Sequence, residues 1–125
     1  MIVDTNALSA WRDSDEGLLQ AISGAALLVL PVVAIGEFRY GISRSRQRSE
    51  AGEWLDRVIR TIRVVGITID TAETYADIRS MLHQKGRPIP TNDAWIAALA
   101  LQHRLPVLSK DAHFDAVDGL TRVGW

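Results

Sequence analysis

Cysteine is absent from this chain of 125 residues. Its absence excludes a disulfide framework, thiolate zinc sites and a cysteine nucleophile. The chain also lacks a basic leader, and it has no apolar run approaching the roughly 18 uncharged residues that a membrane-spanning helix requires. We therefore expect a cytoplasmic protein with no membrane association, whose chemistry rests on carboxylates, histidines and hydroxyls.

An excess of basic charge is also missing, since the formal net charge is -1. Most nucleic-acid-binding domains carry more positive charge, so composition alone counts mildly against nucleic acid as a ligand. Arginines nevertheless outnumber acids between residues 39 and 63. They are Arg39, Arg44, Arg46, Arg48, Arg57, Arg60 and Arg63, against Glu50, Glu53 and Asp56. This group is either the solvated surface of a helical hairpin or a stripe that faces phosphates, and both interpretations stay open.

Short apolar runs alternate with longer stretches that have helical spacing. The predicted strands are residues 1–3, 26–30, 63–67 and 106–108, with 120–124 as a candidate fifth. The predicted helices are residues 8–22 (one or two helices, with Asp13 or Ser14 capping a break), 33–44, 49–62, 71–84 and 94–103. The alternation predicts a single domain over residues 1–125, a three-layer α/β/α fold with a mainly parallel sheet of four to five strands.

Two aspartates directly follow predicted strands. Asp4 comes after the first strand, and Asp111 follows a late one. Ligands of parallel sheets bind outside the carboxyl ends of the strands, so both residues lie where chemistry is expected. Each also fits an ordinary role, Asp4 as a helix N-cap and Asp111 as a turn residue.

Two further acids lie near the starts of apolar helices. Glu37 interrupts an otherwise apolar segment, where a charge is costly unless it is paired or binds a cation; the alternative is an exposed position on the helix. Asp93 lies at the start of a helix that is apolar nearly all round, where capping is an alternative that does not exclude a ligand role. Carboxylates that converge at one sheet edge raise one another's pKa unless a cation neutralises them. The pattern therefore predicts a site for Mg²⁺ or Mn²⁺.

Four segments, taken in this order, resemble the PIN-domain family, and specifically the VapC-type toxin ribonucleases of toxin–antitoxin pairs. They are MIVDTN from Met1, GEF from Gly36 with Gly41 one turn later, NDAWIAA from Asn92 and SKDAHF from Ser109. The similarity runs from end to end of the chain. It implies that Asp4, Glu37, Asp93 and Asp111 form a catalytic, metal-binding quartet, supported by the polar residues Thr5, Asn6 and Asn92. Asp115 suits the role of fourth acid less well, because it falls within the short helix after Asp111.

The resemblance further implies an endoribonuclease that hydrolyses RNA phosphodiester bonds with metal-activated water and needs no protein nucleophile. It also implies a small antitoxin partner, whose segment lies near the acidic site, and a homodimer. The predicted RNA contacts are Arg39, Arg44, Arg46 and Trp11. Structural roles are predicted for Trp54 and Trp95, and for His83, His103 and His113.

Two other functions share parts of this pattern. A receiver-like phosphoacceptor domain also has strand-end aspartates, and Lys110 follows a late strand as that mechanism requires. This chain lacks the acidic pair that a receiver domain has after its first strand, and Asp70, the candidate acceptor, is explained as a helix cap. The second alternative is a catalytically silent PIN-fold binding protein, against which the presence of all four acids argues.

Overall fold

A five-stranded parallel sheet forms the centre of the computed structural model, which describes all of residues 1–125. Its strands are β1 (Ile2–Val3), β2 (Val29–Pro31), β3 (Arg63–Val65), β4 (Val107–Leu108) and β5 (Arg122–Val123). They lie in the order β3-β2-β1-β4-β5, and every neighbouring pair is parallel. The predicted α/β fold with a parallel sheet is confirmed, including the fifth strand near the carboxyl terminus. The chain runs from β1 to β2 and β3 on one side of the sheet and then returns to β4 and β5 on the other. The connections that leave the carboxyl ends of β1 and β4 therefore diverge, and parallel sheets bind ligands at such a point.

Six α-helices and one short 3₁₀ helix connect the strands. They are α1 (Thr5–Arg12), α2 (Glu16–Ser23), α3 (Val32–Ile42), α4 (Arg48–Thr61), α5 (Ile69–Gln84), α6 (Thr91–His103) and the 3₁₀ helix Ala112–Ala116. None of these helices is both long enough and apolar enough to span a bilayer.

The predicted helical stretch 8–22 divides into α1 and α2, and the residue that caps the second helix differs from the prediction. Asp15 accepts a hydrogen bond from the Leu18 N–H at 3.0 Å, so it is the N-cap in place of Asp13 or Ser14. Ser14 instead takes a left-handed conformation with φ 58°, which turns the chain between the two helices.

Neither Asp70 nor Asp93 caps its helix. Thr68 caps α5 in a reciprocal pair with Thr71, so Asp70 is simply an acid in the first turn. Helix α6 starts at Thr91 directly after Pro90 and has no side-chain cap, which leaves the Asp93 carboxylate free of any capping bond. Gly86 follows α5 with φ 65°, a left-handed conformation that glycine adopts without strain and that ends the helix.

The apolar core lies on both faces of the sheet. Ile2, Val29 and Val107 pack on the face covered by α5 and α6, whereas Val3, Leu30 and Leu108 pack on the face covered by α1 to α4. This alternation follows from the two-residue period of a strand. Because both faces are buried, the sheet holds the residues that follow β1 and β4 firmly at one edge.

Candidate functional site

Asp4 follows β1 and lies at the centre of the candidate site, with only 4% of its surface exposed. Its Oδ1 accepts a hydrogen bond from the Thr5 N–H at 2.7 Å, and its Oδ2 accepts one from the Ser109 hydroxyl at 2.7 Å. Burial raises the pKa of Asp4 from 3.8 to about 6, although these two hydrogen bonds oppose the rise. Asp4 therefore both caps α1 and presents a buried carboxylate at the sheet edge.

Asp93 and Asp111 meet beside the same edge, and His113 joins them. The Nδ1 atom of His113 lies 3.0 Å from Asp93 Oδ2 and 2.9 Å from Asp111 Oδ1. Burial raises the pKa of Asp93, as does the charge of Asp111, while His113 opposes the rise. The hydrogen bond to Asp93 and the charge of Asp111 in turn raise the pKa of His113.

The sequence predicted a structural role for His113, and the structure adds that its ring contacts two acids of the site. The 3₁₀ helix after Asp111 turns position 113 back over the start of α6, where Asp93 lies. Sequence spacing could show the closeness of His113 to Asp111, but the contact with Asp93, 20 residues away, depends on the tertiary fold.

Glu37 on α3 contributes the fourth carboxylate. Its Oε1 is buried and has no hydrogen-bond partner, and the same is true of the Thr5 hydroxyl oxygen. The charges of Glu37 and Asp93 both raise the pKa of Asp4, so the three groups lie within electrostatic reach. A buried carboxylate oxygen without a partner is costly unless a cation or a donor approaches it. Glu37 is therefore directed into the site and does not lie on an exposed stripe.

The donor set fits a hard divalent cation. One carboxylate oxygen each from Asp93 and Asp111 and one ring nitrogen of His113 lie within 4.8 Å of one another. Asp4 and Glu37 lie outside this group of three, but the charges of Asp93 and Glu37 both act on Asp4, and Glu37 has the unpartnered Oε1. Oxygen-rich sites of this kind suit Mg²⁺ or Mn²⁺, and no thiolate is present to favour a softer metal.

Ser109 organises the site, a role that the sequence did not reveal. This buried residue donates to Asp4 and accepts hydrogen bonds from the Asp111 N–H at 2.9 Å and the Asn6 side-chain amide at 3.1 Å. Asn6 also accepts from the Lys110 N–H at 3.3 Å, as expected of a supporting polar group. Asn92, in contrast, is exposed and makes no side-chain hydrogen bond to the acids. The only available signal for Ser109 was its place between β4 and Asp111.

The predicted RNA-contacting residues have different environments. Arg39 forms an ion pair with Asp56 at 2.7 Å, whereas Arg44 and Arg46 are exposed and without an ion-pair partner. Trp11 is half-buried, with its ring edge-on to that of Trp54 at 6.1 Å. Trp11 therefore packs against Trp54 with part of its ring still exposed, and its predicted substrate contact stays a prediction.

The remaining aromatic and acidic predictions agree with the structure. Trp54 packs against the apolar core, and Trp95 stacks on Tyr75 with ring centroids 3.8 Å apart. Asp115 accepts two hydrogen bonds from Arg122, at 2.8 and 2.9 Å. Both carboxylate oxygens of Asp115 therefore bind Arg122 of β5, and Asp115 is not part of the acidic cluster.

The fold and the site together define a class of α/β protein in which a parallel sheet gathers carboxylates at the carboxyl ends of its central strands. The PIN domain profile matches residues 1–120, and the chain belongs to the PIN-domain family. Ribonuclease VapC5 of Mycobacterium tuberculosis is 28% identical over 98% of this chain and 90% of that protein.

Two solved structures share the fold and a quarter of the sequence. FitAcB from Neisseria gonorrhoeae is 26% identical and superposes with a TM-score of 0.82, covering 97% of this chain and 94% of that one. VapBC-5 from Mycobacterium tuberculosis, a member of the VapBC family of toxin–antitoxin systems, is 25% identical with a TM-score of 0.71, covering 98% and 94%. The resemblance to VapC-type proteins is thereby confirmed.

Proposed function

We propose that this protein is a metal-dependent endoribonuclease that acts as the toxin of a toxin–antitoxin pair. One observation carries the proposal: Asp4, Glu37, Asp93 and Asp111 gather at one edge of the sheet, and a buried oxygen of Glu37 remains without a partner. The likeness to a VapC ribonuclease supports RNA as the substrate. The receiver-like alternative finds no support, because Asp70 lies exposed in the first turn of α5.

Within this function the four acids form the metal-binding and catalytic set, and Mg²⁺ or Mn²⁺ is the cofactor. When bound, such a cation supplies charge for the phosphate oxygens and lowers the pKa of a coordinated water. Ser109 and Thr5 orient the Asp4 carboxylate, and Ser109 also sets the position of Asp111. Glu37 Oε1 has no partner, so it is available to accept a hydrogen bond from the attacking water.

A digest of single-stranded RNA of mixed sequence tests the proposed reaction. We expect internal cleavage in the presence of Mg²⁺, loss of cleavage with EDTA, and recovery when Mg²⁺ or Mn²⁺ is added back, because the carboxylates alone have no electrophile to offer the phosphate. Gel analysis and sequencing of the products would identify the cleaved positions. Equal cleavage with and without EDTA would contradict the metal-dependent mechanism.

An antitoxin and a second copy of the chain are the proposed partners. VapBC-5 is a member of a family of toxin–antitoxin systems, and its likeness to this chain supports the antitoxin partner. Large apolar side chains are also left partly or largely exposed, namely Leu19, Leu27, Val32, Val64, Ile67 and Ile69. Exposed apolar surface of this kind is typical of interaction sites when it is contiguous.

Static light scattering of the purified chain tests the dimer. At micromolar concentration we expect about twice the chain mass of 13.8 kDa, because pairing would remove apolar side chains from water. A substitution of Ile69 by Ser should shift the distribution toward monomer if this residue lies in the interface. A wild-type protein that stays monomeric over that range would contradict the homodimer.

A further inference from the structure

One nitrogen of the His113 ring faces two acids of the site at once. The Nδ1 atom lies 3.0 Å from Asp93 Oδ2 and 2.9 Å from Asp111 Oδ1. Of the two contacts, the one with Asp93 has the geometry of a hydrogen bond. An imidazole nitrogen has a single proton or a single lone pair to offer, so one hydrogen bond does not account for both contacts.

The spacing of these three atoms matches the ligand shell of a divalent cation. Ligand atoms at right angles around an octahedral cation, each about 2.1 Å from it, are roughly 3.0 Å apart. Both distances from His113 Nδ1 agree with this value, and the three atoms lie within 4.8 Å of one another. A single cation in the place of the Nδ1 proton can therefore reach the nitrogen and both oxygens.

The backbone holds His113 in this position while its ring stays open to solvent. Its N–H donates to Asp111 Oδ1 at 2.9 Å, at the start of the 3₁₀ helix. The next residue, Phe114, is fully buried and anchors that helix in the core. The His113 side chain itself is 48% exposed, so a hydrated cation has an open route to the ring nitrogen.

A nitrogen ligand changes which cation such a site prefers. Mg²⁺ is bound by oxygen atoms and gives up its water reluctantly, whereas imidazole is a good ligand for first-row transition ions. Carboxylates suit both Mg²⁺ and Mn²⁺. The His113 ring is therefore the donor that distinguishes between the two ions.

The other two histidines of the chain lie away from the acids. His83 is exposed on α5, and His103 is the last residue of α6. Neither belongs to a group of side chains that could hold a metal ion, whereas His113 does. A histidine nitrogen detected on a metal bound at the acidic site would therefore come from His113.

We propose that His113 is a metal ligand whose Nδ1 atom, together with Asp93 and Asp111, makes the site selective for Mn²⁺ and other first-row transition ions over Mg²⁺. This inference rests on the metal site of the proposed nuclease and deepens it by naming a nitrogen donor and the class of cation. Without a cation, the ring is the hydrogen-bond partner of Asp93. When a cation binds, the ring releases its Nδ1 proton to water and keeps a proton at Nε2.

Pulsed electron paramagnetic resonance of the full chain loaded with Mn²⁺ tests the ligand directly. A coordinated imidazole nitrogen modulates the electron spin echo of Mn²⁺, so the wild type should show nitrogen modulation. Labelling histidine with the heavier nitrogen isotope should alter that modulation. His113→Asn should lose it, whereas His83→Asn, the control on α5, should keep it. A wild type that binds Mn²⁺ without histidine-nitrogen modulation would overturn the proposal.

Isothermal titration calorimetry at pH 8 measures the selectivity. The wild type should bind Mn²⁺ more tightly than Mg²⁺, and His113→Asn should reduce the ratio of the two affinities about tenfold or more, the scale on which metal sites respond to a changed ligand environment. The amide of Asn offers oxygen in place of the imidazole nitrogen, so Mg²⁺ should lose less affinity than Mn²⁺. His83→Asn should keep the wild-type ratio. An unchanged ratio in His113→Asn would count against the nitrogen ligand.

The outcomes separate this inference from the function as a whole. Mg²⁺-dependent RNA cleavage by a protein that shows no nitrogen modulation would overturn the His113 ligand and leave the nuclease proposal intact. Nitrogen modulation in a protein that cleaves no RNA would support the ligand and contradict the nuclease. A wild type that binds neither cation would overturn both proposals.

Discussion

Replacement of Asp93 by Asn is expected to lower the rate of metal-dependent RNA cleavage about 10³-fold or more. Metal ions contribute several kcal/mol to phosphoryl chemistry, and each ~1.4 kcal/mol changes a rate tenfold. Asn keeps the size of the side chain but removes one negative oxygen donor beside Asp111 and His113. Initial cleavage rates in Mg²⁺, measured for both proteins at equal concentration, provide the comparison.

Asp115→Asn is the matched control for this experiment. Asp115 is an acid of the same region, but Arg122 occupies both of its oxygens. Its substitution should leave cleavage close to the wild-type rate. Circular dichroism would show that both variants are folded. Retained cleavage in Asp93→Asn, or an equal loss in Asp115→Asn, would contradict the assignment of the quartet.

Replacement of Asp4 by Asn is expected to stabilise the metal-free protein at pH 8 while abolishing its cleavage. Asp4 has a pKa of about 6 in the folded protein, against 3.8 for an unperturbed aspartate. At pH 8 its ionised form therefore reduces the free energy of unfolding, by an upper limit of about 3 kcal/mol. Asn occupies the same volume without the buried charge, so the variant avoids this loss.

The direction of the pH dependence follows from proton binding. The folded state binds the Asp4 proton more tightly than the unfolded state, so this residue makes stability fall as pH rises from about 4 to about 7. The difference in unfolding free energy between Asp4→Asn and wild type should grow over that interval and level off above it. Urea denaturation in EDTA at pH 5 and pH 8 measures this difference.

Addition of Mg²⁺ should stabilise the wild type alone and so remove the stability advantage of Asp4→Asn at pH 8. A ligand that binds only the folded state stabilises it by mass action, and Asp4→Asn lacks one of the proposed donors. The control is Asp15→Asn. The Leu18 N–H holds the pKa of Asp15 below its usual value, so this substitution should lower the free energy of unfolding at pH 8, the opposite of the effect expected for Asp4→Asn. An Asp4→Asn variant that is no more stable than wild type at pH 8 in EDTA would contradict this account.

His113 has a related effect on the metal-free site. Its contacts with Asp93 and Asp111 raise its pKa, so the stabilising effect of the imidazolium is present below the unperturbed pKa of 6.5 and is lost as pH rises through the higher folded-state value. The ring thus offsets part of the repulsion between two carboxylates when no cation is bound. Without a cation, the clustered carboxylates of such a site lower the stability of the protein, and the same carboxylates allow it to bind a cation.

Local patterns predicted much of the fold and three positions of the candidate site. The apolar runs identified all five strands. The central strands β1, β2 and β4 are buried on both faces, which requires continuous apolar residues, whereas the edge strands β3 and β5 are partly exposed. Asp4 and Asp111 were placed correctly at strand ends, and Glu37 stood out as a charge in an apolar helix. Helix caps were predicted less well: Thr68 and Asp15 compete with neighbouring polar residues of similar propensity, and local backbone geometry decides between them.

The sequence by itself determined the alternation of strands and helices, the family and the four acids, since these depend on residue type, spacing and ordered motifs. Only the tertiary structure decided that Ser109 links Asp4 to Asp111, that His113 reaches Asp93, and that Trp11 packs against Trp54. Such contacts join residues that are distant along the chain. Their distances follow from how helices pack on the sheet, and no local pattern encodes that packing.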